Sequence, residues 1–151
     1  MVRARTRLAL FLNCFELFKI YLIEELQIRM ISFGNMNHYG IFCKKTVINK
    51  NTRFGPFPGK QLKPNELKSN RNKNNMWEIF NDGKLSHLVD ANVIGNDGVS
   101  HVPNQWMMFV NCARFAQEQN LIAIQCDGEI YYETCKDIVQ VTLIQNEIKI
   151  K

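Results

Sequence analysis

The sequence predicts a single, mainly β domain of the α+β class, preceded by one helix. Its 151 residues, 46% of them hydrophobic, are enough for one domain with one core. After residue 26, short apolar runs are separated by Gly, Asn and Pro, which is the pattern of strands joined by turns. Two of these turns, at residues 81–83 and 126–128, contain the Asp-Gly pair that is typical of β-hairpins.

Residues 1–25 predict an amphipathic helix. Three arginines precede the segment LALFLNCF, as in a secretory signal, but no small-x-small cleavage site follows. Polar residues also interrupt any apolar run that could span a bilayer. Apolar residues recur instead at helical spacing: Leu8, Phe11, Leu12, Phe15, Phe18, Leu22 and Leu26. This stripe is expected to cover the domain itself, a partner or a membrane surface.

The strand predictions follow in chain order. Residues 40–43 and 45–48 are predicted strands, and residues 49–51 form a turn. The segment RFGPFPG, residues 53–59, predicts a strand that enters a tight corner, since two glycines and two prolines leave no room for a helix. A polar loop over residues 60–75 comes next.

The second half of the chain contains the clearest hairpin signals. Residues 76–80 and 85–89 flank the first Asp-Gly turn, and residues 121–125 and 129–133 flank the second. Between the two hairpins lie a loop over residues 91–105 and an apolar run over residues 106–110, which is interpreted as a strand. Residues 139–150 alternate weakly and predict a last strand.

Charge is distributed unevenly along the chain, whose net charge is +5. Residues 1–75 carry 14 Lys and Arg against 4 Asp and Glu, whereas residues 76–135 carry 2 against 8. A basic half could approach phosphates. Its lysines in residues 60–75, however, lie among Asn, Ser and Pro with no interleaved aromatic residue to stack on bases, so a solvated loop is favoured over a nucleic-acid patch.

The five cysteines are predicted to be reduced thiols in a cytosolic or nuclear protein. Their number is odd, and none lies in a Cys-x-x-Cys pair or at zinc-finger distance from the three histidines. No metal site is therefore expected.

Four segments occur in an order that resembles a known family: RFGPFPG, MWEIFNDGKLSHLVD, WMMFVNCARF and EQNLIAIQCDGEIYYETCKDI. They resemble the PR domain of the PR-domain zinc-finger transcriptional regulators, a branch of the SET methyltransferase fold. The resemblance covers residues 26–138. The helix over residues 1–25 lies outside it, as does the tail over residues 139–151, which is interpreted as a divergent strand in place of the family's last motif.

The resemblance implies a fold, a location and a chemistry. It implies small curved sheets with a pseudo-knot, in which the segment near Asn111 and the last strand thread past each other. It also implies a nuclear regulator of transcription. SET enzymes transfer a methyl group from S-adenosylmethionine to a lysine amine, which needs a cofactor pocket, a narrow channel for the amine and groups that help the amine lose its proton.

The family's cofactor-binding motifs match four residues here: Gly40, Asn111, Cys112 and Asn120. The Gly-x-Gly turn corresponds to residues 38–40, where a histidine replaces the first glycine, and the Asn-His pair corresponds to Asn111-Cys112. The family's final channel tyrosine has no counterpart, because no tyrosine follows Tyr132. These four residues are expected to bind a cofactor only if S-adenosylmethionine binds at all, and no catalytic residue is assigned.

Structural interpretations compete with the functional ones. Asn111 is interpreted as a turn-forming residue and Cys112 as a small buried apolar residue. These roles are favoured over binding of the cofactor by the pair. The two tryptophans, residues 77 and 106, are expected to be core anchors within apolar strands. One ring of the Tyr131-Tyr132 pair should face inward and the other outward. His87 is expected to be a strand residue with its hydrogen bonds satisfied.

The sequence therefore favours a protein-interaction module of a nuclear transcriptional or chromatin regulator. It would recruit a corepressor or chromatin scaffold, and the resemblance points to a corepressor of the ETO type. No cofactor is expected under this interpretation. The alternative is a protein-lysine (histone) methyltransferase that uses S-adenosylmethionine. Direct sequence-specific DNA binding by this chain is not expected, since no zinc-finger pair occurs, and membrane attachment is not favoured.

Overall fold

The computed structural model describes residues 23–69, 72–93 and 103–146. Its strands are β1 (Leu26–Phe33), β2 (Met36–Cys43), β3 (Val47–Ile48), β4 (Arg53–Phe54), β5 (Lys60–Leu62), β6 (Met76–Asn81), β7 (Lys84–Asp90), β8 (Asn111–Cys112), β9 (Leu121–Cys126), β10 (Glu129–Thr134), β11 (Ile138–Val139) and β12 (Gln145–Asn146). Short 3-10 helices span Pro64–Glu66, Ala91–Val93 and Gln105–Phe109. The predicted mainly β architecture is confirmed.

The predicted helix over residues 1–25 lies outside the described residues except for its last three. Residues 24 and 25 form a turn that leads directly into β1, so this end of the predicted helix is not helical. Leu26, assigned to the apolar stripe of that helix, is the first residue of β1 and is buried. No helix in the described part of the chain is long and apolar enough to cross a membrane.

The strands form small antiparallel sheets with one parallel exception. β4, β10 and β9 form one sheet, and β5, β7 and β6 form another. β1 pairs with β2, and β3 pairs with β11. The exception is β12, which runs parallel to β8.

Both predicted hairpins are confirmed. Asp82 and Gly83 join β6 to β7 with φ angles of 50° and 72°, and Asp127 and Gly128 join β9 to β10 with φ angles of 51° and 78°. Two successive positive φ angles match the right-handed twist of the flanking strands, which explains why Asp-Gly occurs at both turns.

Two predicted segments differ from the structure. The polar loop over residues 60–75 begins with β5, whose Gln61 pairs with Val89 of β7; the strand was missed because Leu62 is its only buried residue. The apolar run over residues 106–110, interpreted as a strand, lies largely within the 3-10 helix Gln105–Phe109. Periodicity cannot distinguish a short buried helix from a buried strand, and this run has no β-branched residue before its last position.

One core joins most of the sheets. It contains Leu26, Ile41, Phe54, Ile79, Trp106, Leu121, Tyr132, Ile138 and Ile144, among others. Trp106 is 2% exposed and meets Phe54 edge-to-face, with 5.5 Å between ring centroids. Trp77 packs against the same core and is partly buried. The prediction that both tryptophans anchor the core is confirmed, although Trp106 lies in a 3-10 helix rather than a strand.

The C-terminal segment, residues 138–146, is hydrogen-bonded on two sides. On one side the amide of Ile144 donates to the carbonyl of Ile41 in β2, at 2.8 Å. On the other side Gln145 pairs with Asn111 in β8, and the amide of Ala113 donates to the carbonyl of Asn146 at 3.0 Å. This segment therefore lies between β2 and β8, the two strands that contain most of the predicted site.

Candidate functional site

Asn111 and Cys112 form the short strand β8. Asn111 is half-buried, and its Nδ2 donates a long hydrogen bond of 3.4 Å to the carbonyl of Tyr39. Cys112 is exposed. The interpretation of Asn111 as a turn former and of Cys112 as a buried filler is therefore wrong. The parallel pairing with β12, a segment distant in sequence, explains why neither residue was recognised as part of a strand.

Gly40 lies in β2, where other side chains cover its backbone. A Cβ atom at this position would lie 2.6 Å from Cδ1 of Ile31, 2.8 Å from Cδ1 of Leu143 and 3.1 Å from Nδ2 of Asn111. Real Cβ atoms essentially never lie within 3.0 Å of another heavy atom, so any other residue here would require the ends of the Ile31 and Leu143 side chains to shift. The close approach that requires Gly40 is thus made within this chain.

Asn120 uses both ends of its carboxamide to hold the C-terminal segment. Its side chain is 2% exposed. Its Nδ2 donates to the carbonyl of Leu143, and its Oδ1 accepts from the amide of Gln145, both at 2.8 Å. Its backbone amide also donates to the carbonyl of Gln145 at 3.1 Å. Both ends of this buried carboxamide are hydrogen-bonded, so Asn120 links the start of β9 to the C-terminal segment.

The structure brings three of the four predicted cofactor residues to the same segment. Gly40 and Asn111 approach each other beside Leu143, and Asn120 binds the backbone of Leu143 and Gln145. Cys112 follows Asn111 and faces solvent. No group of three His, Cys, Asp or Glu side chains within the described residues could hold a metal ion.

The loop after Cys112 contains an exposed ion pair that was not predicted from the sequence. The guanidinium of Arg114 binds the carboxylate of Glu118 through Nε and Nη2, and this hydrogen bonding lowers the pKa of Glu118 to about 2. The guanidinium also lies 5.2 Å from the ring centroid of Phe115, which is 52% exposed. Residues 114–118 form bends and turns rather than a helix, so the four-residue spacing of Arg114 and Glu118 gave no sequence signal for this pair.

The two tyrosines behave as predicted. Tyr132 is 4% exposed and belongs to the core. Tyr131 points to the other face, where the guanidinium of Arg53 lies 5.9 Å from its ring centroid. Its hydroxyl donates to Glu129 at 2.9 Å, and this hydrogen bond raises the pKa of Tyr131.

His87 is only partly satisfied, which contradicts the expectation for it. Its Nδ1 lies 3.2 Å from the hydroxyl of Ser86. Its Nε2 is buried and has no hydrogen-bond partner among the described residues.

Comparison with known proteins identifies the family. Residues 28–145 match the profile described as "PR domain zinc finger protein 2, PR domain". This chain belongs to the PR domain family. The match includes β2, which contains Gly40, the strand β8, which consists of Asn111 and Cys112, and Asn120, which immediately precedes β9. The resemblance inferred from the sequence motifs is confirmed.

Curated relatives and solved structures agree with this assignment. Mouse "PR domain zinc finger protein 14" is 46% identical over 119 residues, which cover 79% of this chain and 19% of that protein. The human "Putative histone-lysine N-methyltransferase PRDM6" is 37% identical over 103 residues, which cover 66% of this chain and 16% of that protein. This chain therefore spans no more than about a fifth of the length of these relatives.

A solved structure shares the fold. The "Methyltransferase domain of human PR domain-containing protein 2" superimposes with a TM-score of 0.62 and 26% sequence identity, covering 86% of this chain and 80% of that chain. The small sheets described above therefore form a PR/SET-type fold.

Proposed function

We propose that this PR domain is a protein-interaction module of a nuclear transcriptional regulator and recruits a corepressor of the ETO type to chromatin. The supporting observation concerns the contacts of the residues that match the family's cofactor-binding motifs. Side chains of the domain cover Gly40, and the C-terminal segment uses both ends of the Asn120 carboxamide. Two of the four residues that match the cofactor motifs, Gly40 and Asn120, are therefore engaged within the fold, which supports a role without S-adenosylmethionine.

Exposed apolar side chains are the contacts that such a module would offer. Phe80 and Leu85 lie opposite each other on β6 and β7 and are 46% and 38% exposed. Phe115, held under the guanidinium of Arg114, is a third exposed apolar group. Rigid aromatic side chains of this kind lose little conformational entropy on binding, which suits them to anchor a partner.

DNA recognition would belong to other parts of a longer protein. The relatives are named zinc finger proteins, and this chain spans about a fifth of their length. We propose that this domain does not read DNA sequence directly and that its contribution is recruitment.

The proposal predicts saturable binding of a purified corepressor domain of the ETO type to the immobilised chain, measured by biolayer interferometry. Two exposed apolar sites are tested separately: Phe115→Ser changes the first, and Leu85→Ser changes the second, which is the Phe80 and Leu85 pair. If either site anchors the partner, its variant should weaken binding about tenfold, because a buried aromatic or aliphatic anchor contributes more than 1.4 kcal/mol. Absence of binding by the unsubstituted, folded chain would contradict the proposal.

A protein-lysine methyltransferase that uses S-adenosylmethionine is the second candidate. Two observations favour it: relatives whose names include methyltransferase activity, and the carboxamide of Asn111. Among the described residues, Asn111 makes one long hydrogen bond through Nδ2, and its Oδ1 accepts none. That oxygen could accept a hydrogen bond from the methionyl amine of S-adenosylmethionine. When bound, S-adenosylmethionine would supply the methyl group.

A further inference from the structure

A polar groove lies where the tips of the two hairpins meet. It has a volume of about 590 Å³, within the range of pockets that hold small ligands or peptide side chains. β5, β6 and β7 contribute one wall, and β9, β10 and their turn contribute the other. The side chains that line it are Gln61, Asn81, His87, Gln125, Asp127 and Glu129.

The two walls of the groove are joined by hydrogen bonds. Gln125 on β9 accepts a hydrogen bond from the amide of Phe80 at 2.9 Å and donates one to the carbonyl of Phe80 at 2.6 Å. A single carboxamide thus occupies both backbone groups of a residue on β6, as a neighbouring strand would. The groove is therefore formed by two regular hairpins in fixed contact rather than by mobile loops.

The groove carries negative charge and hydrogen-bond acceptors. Asp127 and Glu129 contribute carboxylates, and the described side chains that line the groove include no lysine or arginine. One oxygen of Glu129 accepts the Tyr131 hydroxyl, which leaves the second oxygen available to a ligand. Gln61 and Asn81 add carboxamides that can bond a peptide backbone. In the sequence, residues 76–135, which include every lining residue except Gln61, carry 8 Asp and Glu against 2 Lys and Arg.

The side chains that line the groove do not favour a metal ion as the ligand. The carboxylates and His87 are not arranged to share an ion, since no suitable group of three such side chains occurs in the described ranges. An organic cation needs only one or two carboxylates at hydrogen-bond distance, and a guanidinium can bond two acceptors at once.

We propose that this groove binds an arginine or lysine side chain within a basic segment of a partner protein. The inference adds a second contact to the proposed interaction role and depends on that role for its biological meaning. The residues that line the groove include neither Asn111 nor Phe115, but the groove adjoins Phe80, whose backbone groups bond Gln125. Variants of the groove carboxylates leave Phe80, Leu85 and Phe115 unchanged, so they test the groove separately.

The test is a fluorescence anisotropy titration of the full chain with a dye-labelled peptide of alternating glycine and arginine. A matched peptide carries citrulline, which has nearly the same shape without the charge, in place of each arginine. The arginine peptide is expected to bind at least about tenfold more tightly, because charge-assisted hydrogen bonds contribute about 1.5–3 kcal/mol. Equal binding of the two peptides would overturn the proposal without the use of any variant.

A pair of double variants locates the binding. Asp127→Asn with Glu129→Gln removes both groove charges while preserving the local structure, since asparagine tolerates the left-handed φ of residue 127 and glutamine can still accept the Tyr131 hydroxyl. Glu24→Gln with Glu78→Gln removes the same charge from exposed positions outside the groove. We expect about tenfold weaker peptide binding only in the first pair.

The outcomes separate this inference from the proposed function. Equal losses in both double variants would mean that the peptide responds to net charge, and the groove assignment would be overturned. If the arginine peptide does not bind while the corepressor domain does, the groove inference fails and the proposed function stands. Circular dichroism of each variant establishes that the fold is retained.

Discussion

Replacing Asn120 with leucine is expected to lower the free energy of unfolding by about 3 kcal/mol. Leucine has nearly the same shape but removes the donor to the carbonyl of Leu143 and the acceptor for the amide of Gln145. Both backbone groups would remain buried without a partner, and each such group costs about 1–3 kcal/mol. Urea unfolding followed by tryptophan fluorescence measures the change.

Asn111→Leu is the matched control for this prediction. It makes the same chemical change at a half-buried residue whose side chain makes one hydrogen bond of 3.4 Å within the described part of the chain. The expected loss is below about 1 kcal/mol. Equal losses at the two asparagines would show that Asn120 is not the tie between β9 and the C-terminal segment.

Replacing Ile144 with alanine is expected to lower the free energy of unfolding by a similar amount, about 3 kcal/mol. Ile144 is 0% exposed and belongs to the main core, so the substitution removes buried methylene and methyl groups and leaves a cavity. The same urea experiment measures it, and the dependence of the unfolding free energy on urea concentration should be unchanged.

Val139→Ala is the control in the same C-terminal segment. Val139 is 59% exposed, and its truncation should change the unfolding free energy by less than about 0.5 kcal/mol. If Ile144→Ala is as mild as Val139→Ala, the C-terminal segment does not complete the core, and the account of its packing would have to be abandoned.

The features that the sequence predicted well depend on local chemistry. The Asp-Gly turns identify the two hairpins, because positive φ angles at both turn positions restrict which residues can occupy them. The outward Tyr131 and inward Tyr132 follow from the alternation of side chains along a strand. Family motifs in the correct order were sufficient to predict the PR domain.

The features that the sequence did not predict depend on contacts between distant segments. Asn120 was assigned to the cofactor because it matches a family motif. Its structural role was not predicted, because its partner Leu143 lies 23 residues further along the chain. The crowding at Gly40 comes partly from Ile31 on the neighbouring strand β1 and partly from the distant residues Leu143 and Asn111. No turn signal or periodicity reports such contacts, since they exist only once the C-terminal segment lies between β2 and β8.

The 3-10 helix at Trp106 begins after a residue whose conformation is visible only in the structure. Asn104 adopts a left-handed conformation with φ of 62° immediately before this helix. Asparagine tolerates that conformation, but many asparagines do not adopt it, so its presence in a loop did not predict a helix start.

The central claim is that Gly40 and Asn120, which match cofactor-binding motifs, stabilise the fold rather than bind a ligand. Isothermal titration calorimetry of the full chain with S-adenosylmethionine is its most direct test. A SET-fold lysine methyltransferase titrated under the same conditions provides the positive control. We predict no saturable heat with this chain. Saturable heat at micromolar S-adenosylmethionine, abolished by Asn111→Ala in a folded variant, would contradict the account and support the methyltransferase.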